Sequence, residues 1–244
     1  QAEDGIRDVE RSRGLGDVYK RQMFSQIAFS DPDFSVRTKG ESNRDMSDDP
    51  MVKVSWYGSA AYCNWRSDEE GYESCYNLST WECDFSKQAY RLATEAEWEY
   101  AARGGLSGKR FPWADTNITH SLANYYAHPT CLTYDVNPTE GFHPDCNDGI
   151  YPYTSPAGSF SANGFGLYDM AGNVFEWCND WHSLTYYSMC PYNNPQGPPS
   201  GTYRVQRGGC WKINAFSCRV ASRYRHSPSY RDFYFGFRIV MDLE

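Results

Sequence analysis

Arg207–Val240 reads RGGCWKINAFSCRVASRYRHSPSYRDFYFGFRIV, and this stretch decides the fold. Gly208-Gly209 and Gly236 are points where a backbone turns sharply or is closely approached. Arg207, Arg219, Arg223 and Arg238 recur between them and are expected to hold loops through charge-assisted hydrogen bonds. Tyr, Ser, Asn, His and Phe are prominent among the intervening positions, with no helical or strand period before Gly236–Met241, which reads as a strand. A segment of this kind is irregular backbone fixed by side chains.

Upstream, Arg91–Gly105 (RLATEAEWEYAARGG) is expected to be a helix. Thr94 and Glu97 form a capping box, and Gly104-Gly105 ends it. Glu95, Glu97 and Glu99 alternate along it and are expected to form a solvated face. Val52–Trp56 (VKVSW) reads as a short strand, and Ser55 can cap a second helix over Tyr57–Arg66, with Ala60, Cys63 and Asn64 on one side. Met23–Asp49 reads as a loop-rich lead-in and Ser67–Ala89 as an insertion with two cysteines. Phe111–Ser159 is turn-rich, Asn163–Trp181 is aromatic and punctuated by glycine, and Arg204–Gly209 reads as a strand. Two short helices followed by a long irregular half, with short antiparallel strands, define an α+β class and exclude a doubly wound sheet, a bundle or a regular sandwich.

The bulk composition narrows the function. The chain has 244 residues and a net charge of −8. From Ser200 onward eight Lys/Arg face three Asp/Glu, so the tail is about +5 and the remainder about −13. An acidic body argues against nucleic acid as a partner. No apolar run reaches the length of a transmembrane helix. Aromatic residues make up 17%, so the core should rest on large rings with polar tips. Nine cysteines are many for a cytosolic chain, and Cys75/Cys83 and Cys131/Cys146 could be disulfide staples of an extracytoplasmic or cell-surface protein. Gln1–Gln22 lacks apolar periodicity, and DVYKRQ at Asp17–Gln22 is what a transposon-end sequence used in library tagging would encode. That segment is expected to be adapter-derived or a disordered polar tail, which leaves residues 23–244 as one domain, truncated at its N-terminus.

VSWYGSAAYCNW, YRLATEAEWEYAARGG, FPWAD, Ala123-Asn124, NGFGLYDMAGNVFEWCNDW, RVQRGGCW, CRVASR and GFRIV follow one another in this order. The series resembles the blocks of the formylglycine-generating (sulfatase-modifying factor) family over about Pro50–Val240. The resemblance implies a C-type-lectin-like fold with low regular secondary structure, in a bacterial protein. It also implies two structural calcium sites. Asp169, Gly172, Val174 and Glu176 match one, and Asn124, Tyr125, Asp148 and Ile150 match the other; a hard cation takes six to eight oxygens of this kind. The family's oxidation of a substrate cysteine needs two thiolates holding Cu(I). Counted back from Val220-Ala221-Ser222-Arg223, those thiol positions fall on Val220 and Ala215, so copper is not expected.

What stands in that region suits recognition. Phe216, Tyr224, His226, Tyr230, Phe233 and Tyr234 pair rigid rings with small polar neighbours, the chemistry of an adaptable binding surface. His226 has no carboxylate or cysteine at triad spacing and reads as a contact residue. Variable proteins of diversity-generating retroelements share this fold. Mutagenesis of their AAY codons never yields Lys, Glu, Gln, Met or Trp, and none of those occurs in Ile213–Phe235. The resemblance and the substitutions together lead to the expectation of a monomeric, non-catalytic ligand-binding module for a protein or surface ligand, of the retroelement-variable kind. The alternative is a formylglycine-generating oxidoreductase acting on a protein cysteine.

Overall fold

A computed structural model describes residues 46–242 and, as backbone, Ile27–Ser30 and Asp33–Val36. The expectation for Gln1–Gln22 lies outside the described residues. The elements are β1 (Ile27–Ser30), β2 (Asp33–Val36), α1 (Trp56–Glu69), β3 (Arg91–Leu92), α2 (Glu95–Arg103), β4 (Phe175–Trp181), β5 (Arg204–Arg207), β6 (Tyr224–His226), β7 (Phe235–Phe237) and β8 (Ile239–Val240). They make a four-stranded sheet in the order β6-β5-β4-β7, a β3-β8 pair and a β1-β2 hairpin. The class is α+β, as the sequence suggests, and most of the chain between α2 and β4 is irregular.

Four expectations change. Val52–Trp56 is not a strand: Lys53 sits at φ 58°, which breaks an extended run, and α1 already begins at Trp56. The helix expected from Arg91 begins at Glu95. Thr94 caps it in extended conformation with both halves of the capping box formed, while Arg91–Leu92 pairs with Ile239–Val240. The loop-rich lead-in contains the β1-β2 hairpin, in which Ile27 faces Val36. The nine cysteines are free thiols, so neither staple is present. Cys75 and Cys83 hydrogen-bond to each other, and the exposed Cys131 contacts His128.

β4 sits between two cores because strand side chains alternate. Phe175 and Trp177 enter a cluster with Trp56, Ala60, Cys63 and Phe235. Cys178 enters another with Trp98, Met170 and Val205. The indole N–H groups bind the layers together: Trp56 donates to the Cys178 carbonyl at 2.9 Å, Trp177 to the Val54 carbonyl at 3.1 Å, and Trp98 to Glu176 at 2.6 Å. Rings with polar tips therefore pack and hydrogen-bond at once, as the composition suggested.

The glutamates of α2 do not form a solvated face. Glu95 is buried and accepts from Arg223 Nε and Nη2 at 2.6 and 2.7 Å, with Arg207 Nε 3.4 Å away. Arg207, fully buried, also pairs with Glu99 and donates to the Ser222 carbonyl. Glu97 closes the cap and takes Arg91 at 2.7 Å. Alternation failed as a guide because arginines distant in sequence converge on this helix. A buried charge stripped of its partner is costly. Glu95→Gln is therefore expected to lower unfolding free energy by about 3–5 kcal/mol, read as a drop in denaturant midpoint. A change within about 0.5 kcal/mol contradicts the assignment.

Candidate functional site

The candidate binding residues lie on β6, on the loop to β7 and on the turn after Trp211. β6 is the outermost strand of the sheet, paired through Val205 with Arg225. Tyr224 stacks on Phe175 at 4.8 Å, and His226 stacks on Tyr230 at 3.8 Å between ring centroids. Tyr230 hydrogen-bonds Asp232 at 3.1 Å and also contacts the Tyr234 hydroxyl. Phe216, Tyr224 and Tyr230 are exposed, and His226, Phe233 and Tyr234 are half-buried. Tyr224, His226, Tyr230 and Tyr234 thus form one cluster at the surface. Phe233 lies to one side under the Lys53 ammonium, 3.5 Å from its centroid. Phe216 is apart from them and packs on Arg219 at 3.6 Å.

The loop that carries these rings is held mainly by its backbone. Trp56 N–H donates to the Pro228 carbonyl and Lys53 N–H to that of Asp232, both at 3.0 Å. Phe175 N–H donates to Tyr234 at 2.9 Å and Trp211 Nε1 to Phe233 at 3.1 Å. A hydrogen bond to a carbonyl is indifferent to the side chain on the same residue. Three of these ring or polar positions can therefore change while the loop path is kept.

Tyr151, a half-exposed ring missed in the sequence, extends the surface. It lies 5.2 Å from Trp211 and 6.5 Å from Phe233, and Trp211 lies 6.5 Å from Tyr234. No spacing along the chain connects position 151 with position 233.

Ala215 and Val220, the residues at the counted thiol positions, are buried in separate clusters. Cys210 and Cys218 are buried too, and burial raises both thiols, Cys210 to about 12. Of the framework arginines, Arg207, Arg223 and Arg238 hold carboxylates, while Arg219 Nε donates to the Phe216 carbonyl at 2.8 Å.

Asp169, Gly172, Val174 and Glu176 line one cavity of about 560 Å³. Asp169 Oδ1 is buried without a partner, and burial raises its carboxyl above the usual range. Gly172 is at φ 81°, where a Cβ would strike the Asn124 carbonyl, so the turn admits only glycine. These features fit a hard cation. Glu176, however, is already gripped by Arg238 through Nε and Nη2, both at 2.6 Å. In the other set Asn124 Oδ1 is a buried orphan, but the Tyr125 carbonyl meets His120 Nε2 at 3.0 Å. Asp148 is exposed and accepts from Ile150 N–H at 3.1 Å.

Residues 20–243 match the family described as the sulfatase-modifying factor enzyme 1-like domain. The chain belongs to that family. It is 36% identical over 201 residues to a formylglycine-generating enzyme of Streptomyces coelicolor, covering 80% of this chain and 53% of that protein. It is also 35% identical to the serine/threonine-protein kinase pkn1 of Chlamydia caviae, over 80% of this chain and 24% of the kinase. The chain therefore spans about a quarter to a half of the length of these relatives. Among solved structures it resembles Treponema denticola variable protein 1 with a TM-score of 0.60 and 29% identity, over 80% of this chain and 72% of that one. PvdO from Pseudomonas aeruginosa gives 0.61 and 26%, over 93% and 76%.

Burial lowers the pKa of His226, opposed by Asp232, and its Nδ1 accepts from Ser227 N–H at 3.1 Å. The ring should be neutral at pH 7, its proton on Nε2. An NMR titration is expected to place its midpoint below the ordinary 6.5; a midpoint above that value contradicts the burial of the ring.

Proposed function

We propose that this domain recognises a ligand through the ring cluster of β6 and the β6–β7 loop, and that it does not oxidise a substrate cysteine. The gathering of Tyr224, His226, Tyr230 and Tyr234 at the surface, on a loop tied down by its carbonyls, supports this most strongly. Rigid aromatic groups give contact area at low entropy cost, and Asp232, Ser227 and Ser229 offer adaptable polar contacts beside them. Aliphatic side chains at Ala215 and Val220 leave no soft ligand for Cu(I) at those positions. Likeness to a protein titled a variable protein supports the further reading that the ring positions are diversified.

Sequencing independent alleles of the locus tests that reading. Substitutions are expected to concentrate in residues 213–234, sparing Arg207, Arg223 and Arg238, with a nearby reverse transcriptase and a near-copy of the coding segment. An even spread of substitutions contradicts diversification. Copper-dependent oxygen uptake with a cysteine peptide would overturn the non-oxidase reading.

Calcium, in this proposal, ties the irregular half together through Asp169, Glu176 and the carbonyls of Gly172 and Val174. A ligand that binds only the folded state raises its melting point by mass action. Excess calcium over chelator is expected to raise the melting temperature by about 2–8 °C, and Asp169→Asn to remove most of that shift. Equal melting in calcium and chelator contradicts the site. For calcium at Asn124, Tyr125, Asp148 and Ile150, the buried orphan Asn124 Oδ1 is the supporting feature, while the Tyr125 carbonyl already meets His120. The partner fitting this surface is a protein or surface-displayed ligand met by a single copy of the domain, in an extracytoplasmic setting. Among the described residues no helix is long and apolar enough to cross a membrane.

A further inference from the structure

Arg204 on β5 is nine-tenths buried, 5% exposed, between two indole faces, with its guanidinium 3.6 Å from the Trp56 centroid and 3.7 Å from that of Trp181. Its Nη1 donates to the Asn179 carbonyl, and Nε has no partner. Nη2 makes no hydrogen bond among the described residues, nor is it one of the sealed, unsatisfied atoms. The other buried or half-buried arginines that carry the framework are different. Arg223 presents its Nε/Nη2 edge to Glu95, and Arg238 presents the same edge to Glu176, each as a two-point fork at 2.6–2.7 Å. In Arg204 neither atom of that edge meets a carboxylate: Nε is sealed from solvent, and Nη2 alone is left for a partner from outside. No carboxylate lies within ion-pair distance of it among the described residues, and burial without such a partner lowers its pKa to about 10.

Arg204 also lines a cavity of about 1030 Å³. The wall is built from the strand-like crossing of Tyr76 with Cys83, from Trp81, Phe85 and Trp181, and from the Pro198-Pro199 loop. The charged groups beside it are already engaged. Lys87 donates to the Ser74 carbonyl at 3.0 Å and faces Glu73 at 3.5 Å. Glu82 takes the Thr80 hydroxyl at 3.2 Å, and Asp84 takes Ser86 at 2.6 Å. A ring-lined cavity with one guanidinium that lacks a carboxylate partner has the make-up of a small-ligand site.

We propose that this cavity binds a ligand carrying a carboxylate on an apolar, ring-sized body, with the carboxylate on Nη2 of Arg204 and the body against Trp81 and Trp181. This site shares no residue with the β6–β7 ring surface, and its test does not depend on that surface. A free aromatic acid and the C-terminus of a peptide offer the same chemistry.

Phenylacetate, N-acetylphenylalanine, phenylacetamide and inorganic phosphate are the probes, titrated against the full chain and followed by tryptophan fluorescence. Saturable binding of phenylacetate is expected, at least about tenfold tighter than phenylacetamide, since the neutral amide forgoes the charge-assisted hydrogen bond to the guanidinium. Arg204→Lys keeps the charge but loses the planar guanidinium held between the two indoles, and is expected to weaken binding about tenfold. Thr80→Trp narrows the cavity with Arg204 intact and keeps the test available if the arginine variant does not fold; it should abolish binding with the melting curve retained. Tighter binding of N-acetylphenylalanine than phenylacetate supports a peptide C-terminus as the natural source, and the reverse supports a free acid. Equal affinity for phenylacetamide, indifference to both substitutions, or displacement of phenylacetate by phosphate at equal concentration overturns the proposal.

Discussion

The carboxylate of Glu95, shut away from water between Arg207 and Arg223, is the contact on which the rest of the structure depends. It joins the first turn of α2 to β5 and to the residue that leads into β6, three segments far apart in sequence. Glu99 balances Arg207 on its other side, so two positive and two negative groups are buried or half-buried together. Their mutual attraction offsets desolvation because Arg223 fills its fork on Glu95 and Nη1 of each arginine finds a carbonyl, while Arg207 Nε has only the ion pair with Glu95 at 3.4 Å. Asp180 shows what happens where that balance is incomplete. It accepts the Glu95 N–H at 2.7 Å, yet its other oxygen has no partner, and burial with the neighbouring Glu95 charge raises its pKa to about 7.

This arrangement separates the groups that hold the C-terminal segment from those that face outward. The former are arginine forks, indole N–H groups and backbone carbonyls. The latter are the rings of Tyr224, His226, Tyr230 and Tyr234. Because Pro228, Asp232 and Tyr234 are gripped through their carbonyls, the path of the β6–β7 loop asks little of most side chains on it. A fold with few regular elements can therefore keep a defined surface while its contact residues differ. The same separation explains why Arg204 stands out: it lies on the framework strand, yet among the described residues no carboxylate pairs with it.

Much of the fold was legible in the chain. The T-x-x-E box at Thr94 and Glu97 marked the cap of α2, although the helix was expected from Arg91, and the stop at Gly104 came with the left-handed conformation that glycine favours. Family blocks in fixed order identified the architecture, and the surface rings followed from what stood between them. The failures have physical causes. VKVSW alternates like a strand, but Lys53 adopts a positive φ because its N–H is drawn to Asp232, some 180 residues away. Glu95 looked like a solvent-facing member of an alternating set, since its two arginines lie more than a hundred positions downstream. Tyr151 joins the ring surface, and Arg204 meets Trp56 and Trp181, only through tertiary packing. Cysteine spacing suggested staples that the thiols do not form. Local chemistry is written in local sequence, whereas convergence of distant groups is not.

The central claim is that the rings are displayed by this frame and are not part of what holds it. Chemical denaturation of the variant carrying Ala at Tyr224, His226, Tyr230 and Tyr234 together tests it most directly. The account predicts a cooperative transition with each position costing on the order of 1 kcal/mol or less, the range of a surface stack. Loss of a cooperative transition, or a cost of about 3 kcal/mol per ring as for a truncated core aromatic, would show that these residues are core, and the account would be wrong.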